Sequence, residues 1–239
     1  MLFDCKNSEM GIFLDNFHKI YQNGNYKREV IEMVTRMEYL QKLLDWKDEK
    51  VIKVITGIRR CGKSTLLLQY QEHLKEQGID DSQIISVNFE DLQYEELLDY
   101  KTLYDYIQKR LCKDKMTYIF LDEIQKVDSF EKVVDSLHIK EHTDIYLTGS
   151  NAYMLSSDLA TLLTGRYVEL SMLPLSFKEY AQLTNDTSEH AFSDYMRYGG
   201  LPYVAAMDKT DEKADMYLEG IYNTVIVRDI EAVSYTHLT

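Results

Sequence analysis

The stretch Lys53-Val-Ile-Thr-Gly-Ile-Arg-Arg-Cys-Gly-Lys-Ser-Thr-Leu-Leu-Leu68 decides how the rest of the chain is read. A short apolar run, Val51 to Ile55, ends at Gly57, and Gly57, Gly62, Lys63 and Ser64 then fill the spacing G-x-x-x-x-G-K-[ST] of a phosphate-binding loop. Backbone N–H groups wrap a polyanion only where the chain turns tightly with no side chain in the way, so glycine stands at both ends. Lys63 is placed to reach the outer phosphates, and the Ser64 hydroxyl to reach Mg²⁺. The segment from Ser64 to Gln77 reads as a helix with Leu67, Tyr70 and Leu74 on one side, its positive end towards the phosphates. The plainer reading is a glycine turn between a buried strand and a helix, with Lys63 merely solvated.

Downstream, Tyr118-Ile-Phe-Leu-Asp-Glu123 reads as a buried parallel strand that projects two carboxylates from its C-terminal end, where α/β sheets bind ligands. An acid here serves Mg²⁺ in phosphate-loop enzymes, which suits Asp122. Glu123 is then placed for general-base work on a water. Asp144-Ile-Tyr-Leu-Thr-Gly-Ser-Asn151 repeats the design, with Ser150 or Asn151 as a group that polarises the water or senses the γ-phosphate. The same residues also read as a turn and helix cap.

Composition sets outer limits. The 239 residues suffice for one sizeable α/β domain, or for one domain and a piece of another. With 27 basic and 40 acidic residues the net charge is −13, which argues against a surface that coats nucleic acid or anionic membrane. Cys5, Cys61 and Cys112 form no disulfide framework, and no run has the length of a signal peptide core or a membrane span. The expectation is a soluble cytoplasmic protein without membrane contact.

Along the chain, residues 1–32 are a polar extension, with Met33 a possible natural start. Met37, Leu40, Leu43 and Leu44 recur at helical spacing beside the first strand. Ile84 to Phe89 is β-rich. Glu90 to Asp99 holds five acids and reads as a solvated face, and Tyr104, Ile107 and Leu111 form a helical core stripe. Another β-like run, Tyr167 to Leu170, follows Arg166, and Ser176 with Glu179 has capping-box spacing. Gly199-Gly-Leu-Pro202 marks a turn. These elements predict a three-layer α/β phosphate-loop core with a mainly parallel sheet over residues 33–172, then a helical portion over 173–233.

The order of elements narrows the class. Ile84 to Phe89 lies between the loop strand and the acidic strand, and Glu123 directly follows Asp122. That order is similar to the catalytic-glutamate division of phosphate-loop NTPases. No N-K-x-D guanine signature occurs, which favours ATP. Val54-Ile-Thr-Gly-Ile-Arg-Arg-Cys-Gly-Lys-Ser-Thr65, Leu121-Asp-Glu-Ile-Gln125, Leu147-Thr-Gly-Ser150, Leu163-Thr-Gly-Arg166, Leu173-Pro-Leu-Ser-Phe-Lys-Glu179 and Tyr198-Gly-Gly-Leu-Pro202 together resemble the successive motifs of a prokaryotic group of AAA-superfamily ATP-binding proteins. Proteins of that group carry a further, uncharacterised C-terminal domain.

The resemblance implies that Gly57, Ile58, Arg59, Arg60, Cys61, Gly62, Lys63, Ser64 and Thr65 hold ATP, and that Ser64 and Asp122 serve Mg²⁺. Glu123 would activate water, Ser150 would occupy the sensor position, and Arg166 matches an arginine of the pattern. Arg166 is either an arginine finger or a salt-bridge partner at a strand edge. Ile221 to Ile230 resembles a junction into the C-terminal domain, whereas Ser234 to Thr239 reads as a non-native tail. The chain is therefore expected to be the ATPase portion of a longer protein. Its partners would be ATP, that further domain or another protein, and a second copy of itself, with nucleic acid reached only through parts beyond this chain. The expected reaction is Mg²⁺-dependent ATP hydrolysis coupled to a conformational change. The alternatives are a nucleotide-gated switch with little turnover and a phosphotransferase.

Overall fold

The structure is a computed structural model and describes residues 34–150, 163, 165–208 and 210–236, the last helix by its backbone alone beyond Asn223. Asn151, the 1–32 extension and residues 237–239 lie outside the described residues.

Five parallel strands make one sheet: β1 (Ile52–Thr56), β2 (Ile84–Asn88), β3 (Thr117–Asp122), β4 (Thr143–Thr148) and β5 (Tyr167–Ser171), in the spatial order β2-β3-β4-β1-β5. The central strands β1, β3 and β4 are buried at every position, as near-continuous apolar runs require when both faces are covered. In sequence β2 separates the loop strand from the acidic strand; in space β4 lies between them.

Alternation along the strands sorts two cores. Ile52, Val54, Ile119, Leu121, Ile145 and Leu147 face the helices α3 (Tyr100–Gln108) and α4 (Phe130–His138). Ile55, Tyr118, Phe120 and Tyr146 face α1 (Met37–Asp45) and α2 (Lys63–Glu76) on the other side. Leu40 and Leu43 pin α1 to this second core, each contributing about 2 kcal/mol of apolar burial. The stripe expected from Tyr104, Ile107 and Leu111 packs on the first core, Tyr104 and Leu111 only part-buried. Leu103 and Ile107 are the fully buried pair, and Leu111 lies beyond the end of α3, which stops at Gln108.

The acids of the Glu90–Asp99 segment act locally: Asp91 accepts from the Gln93 amide and Asp99 from the Thr102 amide, capping the turns that follow. After β5 come α5 (Phe177–Thr184), α6 (Glu189–Tyr198), α7 (Pro202–Ala206) and α8 (Asp211–Thr236). Ser176 and Glu179 form the capping box at the start of α5. At the turn into α7, a Cβ on Gly200 would lie 2.1 Å from the Leu175 carbonyl oxygen, so only glycine fits there.

Candidate active site

The loop after β1 and the ends of β3 and β4 meet at the C-terminal edge of the sheet. Gly57 (φ 147°) and Gly62 (φ 104°) take backbone conformations that side chains rarely adopt, and a Cβ on Gly57 would lie 2.3 Å from the Met172 carbonyl oxygen. Gly62 is also the N-cap of α2 and offers no capping side chain, so the positive end of that helix opens onto the loop. Lys63 is buried. Its Nζ donates to the carbonyls of Gly57 (3.1 Å) and Ile58 (3.3 Å) and stands 3.6 Å from Glu123 Oε1. A buried cation and the positive helix end bring local positive charge to the loop of an acidic protein, facing the carboxylates at the end of β3.

Asp122 is the last residue of β3, and Glu123 follows it in the left-handed region (φ 57°, ψ 46°). Strand alternation therefore ends at Asp122. The Thr148 hydroxyl at the end of β4 ties the two acids together, donating to Asp122 Oδ1 and accepting from the Glu123 amide at 2.9 Å. Burial pushes the Asp122 carboxyl up from its ordinary range, while hydrogen bonds from Thr148 and Ser64 and the nearby Lys63 cation pull the other way. The Ser64 hydroxyl and the Asp122 carboxylate are thus adjacent.

Ser150, 2% exposed, donates to Glu123 Oε2 at 2.8 Å, and the Gln125 amide donates to the same oxygen at 2.5 Å. The Gly149 amide donates to the Ile55 carbonyl, which holds this turn beside β1. Ser150 is therefore bonded to Glu123.

Within the loop, Cys61 is fully buried and its thiol is pushed up by burial. Ile58 is half exposed, and Arg60 reaches away to donate to the Tyr217 hydroxyl of α8 at 2.6 Å. Arg166 stands apart. It precedes Tyr167, which is in register with Ile52 at the start of β1, so about 16 Å of strand separates it from the loop of its own chain. Its guanidinium lies 3.6 Å from Asp135 of α4. Of the two expected roles, the contact with Asp135 is that of a salt-bridge partner at a strand edge, and the parallel register of β5 on β1 places Arg166 at the end of the sheet away from its own chain's loop.

Three groups at the site escaped the sequence reading of residue types. Thr148 was expected only as part of a turn, Gln125 had no expected role, and Arg36 binds the loop from the segment before α1. The signal for Thr148 was its place at the end of a strand next to the acidic one.

With this geometry in hand, a family profile described as an AAA domain matches residues 49–181, more than half of the chain. The chain belongs to the AAA-domain family. The matched region holds the phosphate loop, both acids, Ser150 and Arg166 of this AAA domain. An uncharacterized protein of Haemophilus influenzae is 40% identical over 215 residues, covering 86% of this chain and 53% of that protein. A second uncharacterized protein, from Methanocaldococcus jannaschii, is 32% identical over 194 residues, covering 74% of this chain and 42% of its own length. The chain thus spans about half the length of these curated relatives. A solved structure described as a Walker-type ATPase of Pyrococcus abyssi superposes with a TM-score of 0.58 at 16% identity, covering 86% of this chain and 77% of that one. That likeness supports the phosphate-loop α/β fold. Among the described residues no helix is long and apolar enough to cross a membrane.

Proposed function

We propose that this AAA domain binds ATP with Mg²⁺ and hydrolyses it, and that the cycle moves an attached module or a partner protein. The observation that carries the reading is the seat of Glu123. Its carboxylate is held by Ser150 and Gln125 through one oxygen, and the other faces Lys63 at 3.6 Å, next to Asp122 and the loop. A phosphotransferase needs no such glutamate beside the loop, so hydrolysis is the better reading.

The residues fit a nucleotide with a metal ion. Gly57 lets the loop pack against the Met172 carbonyl, where a Cβ would clash, and Ser64 and Asp122 form an adjacent pair of hard oxygen donors. Ser64 and Asp122 would hold Mg²⁺, which neutralises charge on the phosphate oxygens when bound. Loop amides and Lys63 bind and orient the triphosphate. Through Oε1, Glu123 takes the proton of the attacking water, and Ser150 fixes the carboxylate in place. Asn151 lies outside the described residues and stays a candidate to polarise the water or sense the γ-phosphate. An arginine-finger role for Arg166 requires a neighbouring copy of the chain, and a homo-oligomer is part of this proposal. Nucleic acid has no proposed site on this chain.

Steady-state phosphate release by this chain with and without Mg²⁺ tests the reading. Metal-dependent release of ADP and phosphate supports it. Tight ATP binding without turnover would favour a nucleotide-gated switch instead.

A further inference from the structure

Arg36, just before α1, is 4% exposed and yet charged, and its guanidinium joins three segments remote in sequence. Nε donates to Glu179 Oε1 of α5 at 2.6 Å. Nη1 donates to the Cys61 carbonyl of the phosphate loop at 3.3 Å and to the Leu173 carbonyl at 3.1 Å, and Nη2 donates to Leu173 (3.1 Å) and Pro174 (3.4 Å). The group also stacks 4.7 Å from the centre of the Tyr39 ring, whose hydroxyl accepts from the Leu173 amide.

The contact with the loop is directional. In a trans peptide the C=O and the following N–H point to opposite sides of the chain. The bond to Arg36 draws the Cys61 carbonyl to one side, so the Gly62 N–H is turned to the other. Gly62 adopts φ 104° and has little steric preference of its own to hold that peptide plane. Arg36 supplies the hold.

We infer that Arg36 is a positioning residue for the phosphate loop, turning the Gly62 amide towards the phosphates, and that its salt bridge to Glu179 makes this orientation depend on the seating of α5. The inference rests on the nucleotide-site reading above and adds to it a means by which the helices after β5 tune phosphate affinity. Glu179 suits the role because its two oxygens have separate duties. Oε1 pairs with Arg36, while Oε2 accepts from the Ser176 amide and hydroxyl at 2.8 Å each. Glutamine can keep the capping bond and lacks the charge.

The test uses Mg²⁺ with ATP and, separately, with inorganic tripolyphosphate, which reports on the loop without base or ribose. R36K keeps the charge but loses the planar fork that reaches three partners at once. It is expected to weaken both ligands about 10-fold, on the scale of one charge-assisted hydrogen bond. E179Q should weaken both about 3-fold, and the double variant should bind no worse than R36K within a factor of two, because the two residues act through one contact. Tripolyphosphate affinity within twofold of the parent in R36K would overturn the inference, as would weakening of ATP alone. Should R36K fail to fold, parental tripolyphosphate affinity in E179Q overturns it. Absence of binding of either ligand to the parent chain would overturn the nucleotide-site reading itself, and this inference with it.

Discussion

The hydroxyl of Ser150, just past β4, donates a 2.8 Å hydrogen bond to Glu123 Oε2, just past β3, and both side chains are at least nine-tenths buried. In the proposed mechanism this bond leaves Oε1, the oxygen that faces Lys63, for the chemistry. It gives the sensor position read from sequence a proposed task, the orientation of Glu123. Ser150→Ala should therefore slow hydrolysis by about 10-fold while leaving ATP affinity within about twofold, the split expected when an interaction acts on the chemical step alone. Single-turnover phosphate release and calorimetry on the same variant check both halves.

Lys63 brings a buried positive charge to the loop. Lys63→Ala should weaken ATP binding about 10-fold or more, corresponding to a lost charge-assisted contact of about 1.5–3 kcal/mol. Calorimetry in the presence of Mg²⁺ reads this directly, and unchanged affinity would make the loop a structural turn.

A second buried cation serves stability. Lys53 is the second residue of β1, fully buried, with Nζ 2.5 Å from Asp144 Oδ1 and 2.8 Å from the Glu49 carbonyl. Burial lowers the Lys53 pKa and raises that of Asp144, and each ion is the main relief for the other. Tyr146 and the Asp48 amide also donate to this carboxylate. Lys53→Met leaves it buried and uncompensated, so stability should fall by about 3–5 kcal/mol. That corresponds to a melting temperature lower by about 10 °C for a chain of this size. An unchanged melting temperature would contradict a stabilising role for the pair.

Gly200 is the tight point of the helical region, since its carbonyl accepts from the Leu175 amide at 2.7 Å and a Cβ would meet the Leu175 oxygen. Gly200→Ala should cost about 1–3 kcal/mol as an overpacked backbone contact. Limited proteolysis should then cut faster between α6 and α7, and a wild-type digestion pattern would contradict the contact.

Much of the sheet was legible because both of its faces are covered. Central strands of that kind have to be apolar throughout, so Tyr118 to Leu121 and Val54 to Ile55 announce themselves, and the glycine spacing marks the loop between strand and helix. Lys53 hid inside such a run, because its partner Asp144 comes from a strand 91 residues away. Arg36 was invisible for the same reason: its partners Leu173, Pro174 and Glu179 are 137 to 143 residues distant. The capping box at Ser176 and Glu179 was readable because its pattern spans only three residues, although its second duty, binding Arg36, was not. Arg166 shows the converse. Its motif was conspicuous, but only the register of β5 on β1 reveals which edge of the sheet it occupies.

The central claim is that Glu123 activates water while the loop and Asp122 hold the nucleotide. The most direct measurement pairs binding of a fluorescent ATP analogue with single-turnover phosphate release in Glu123→Gln. The account predicts nearly unchanged affinity and hydrolysis slower by about 10²–10⁴-fold, the range for removal of a general base. Hydrolysis at the parental rate would contradict it and leave Glu123 as a strand-end acid of a nucleotide-gated switch.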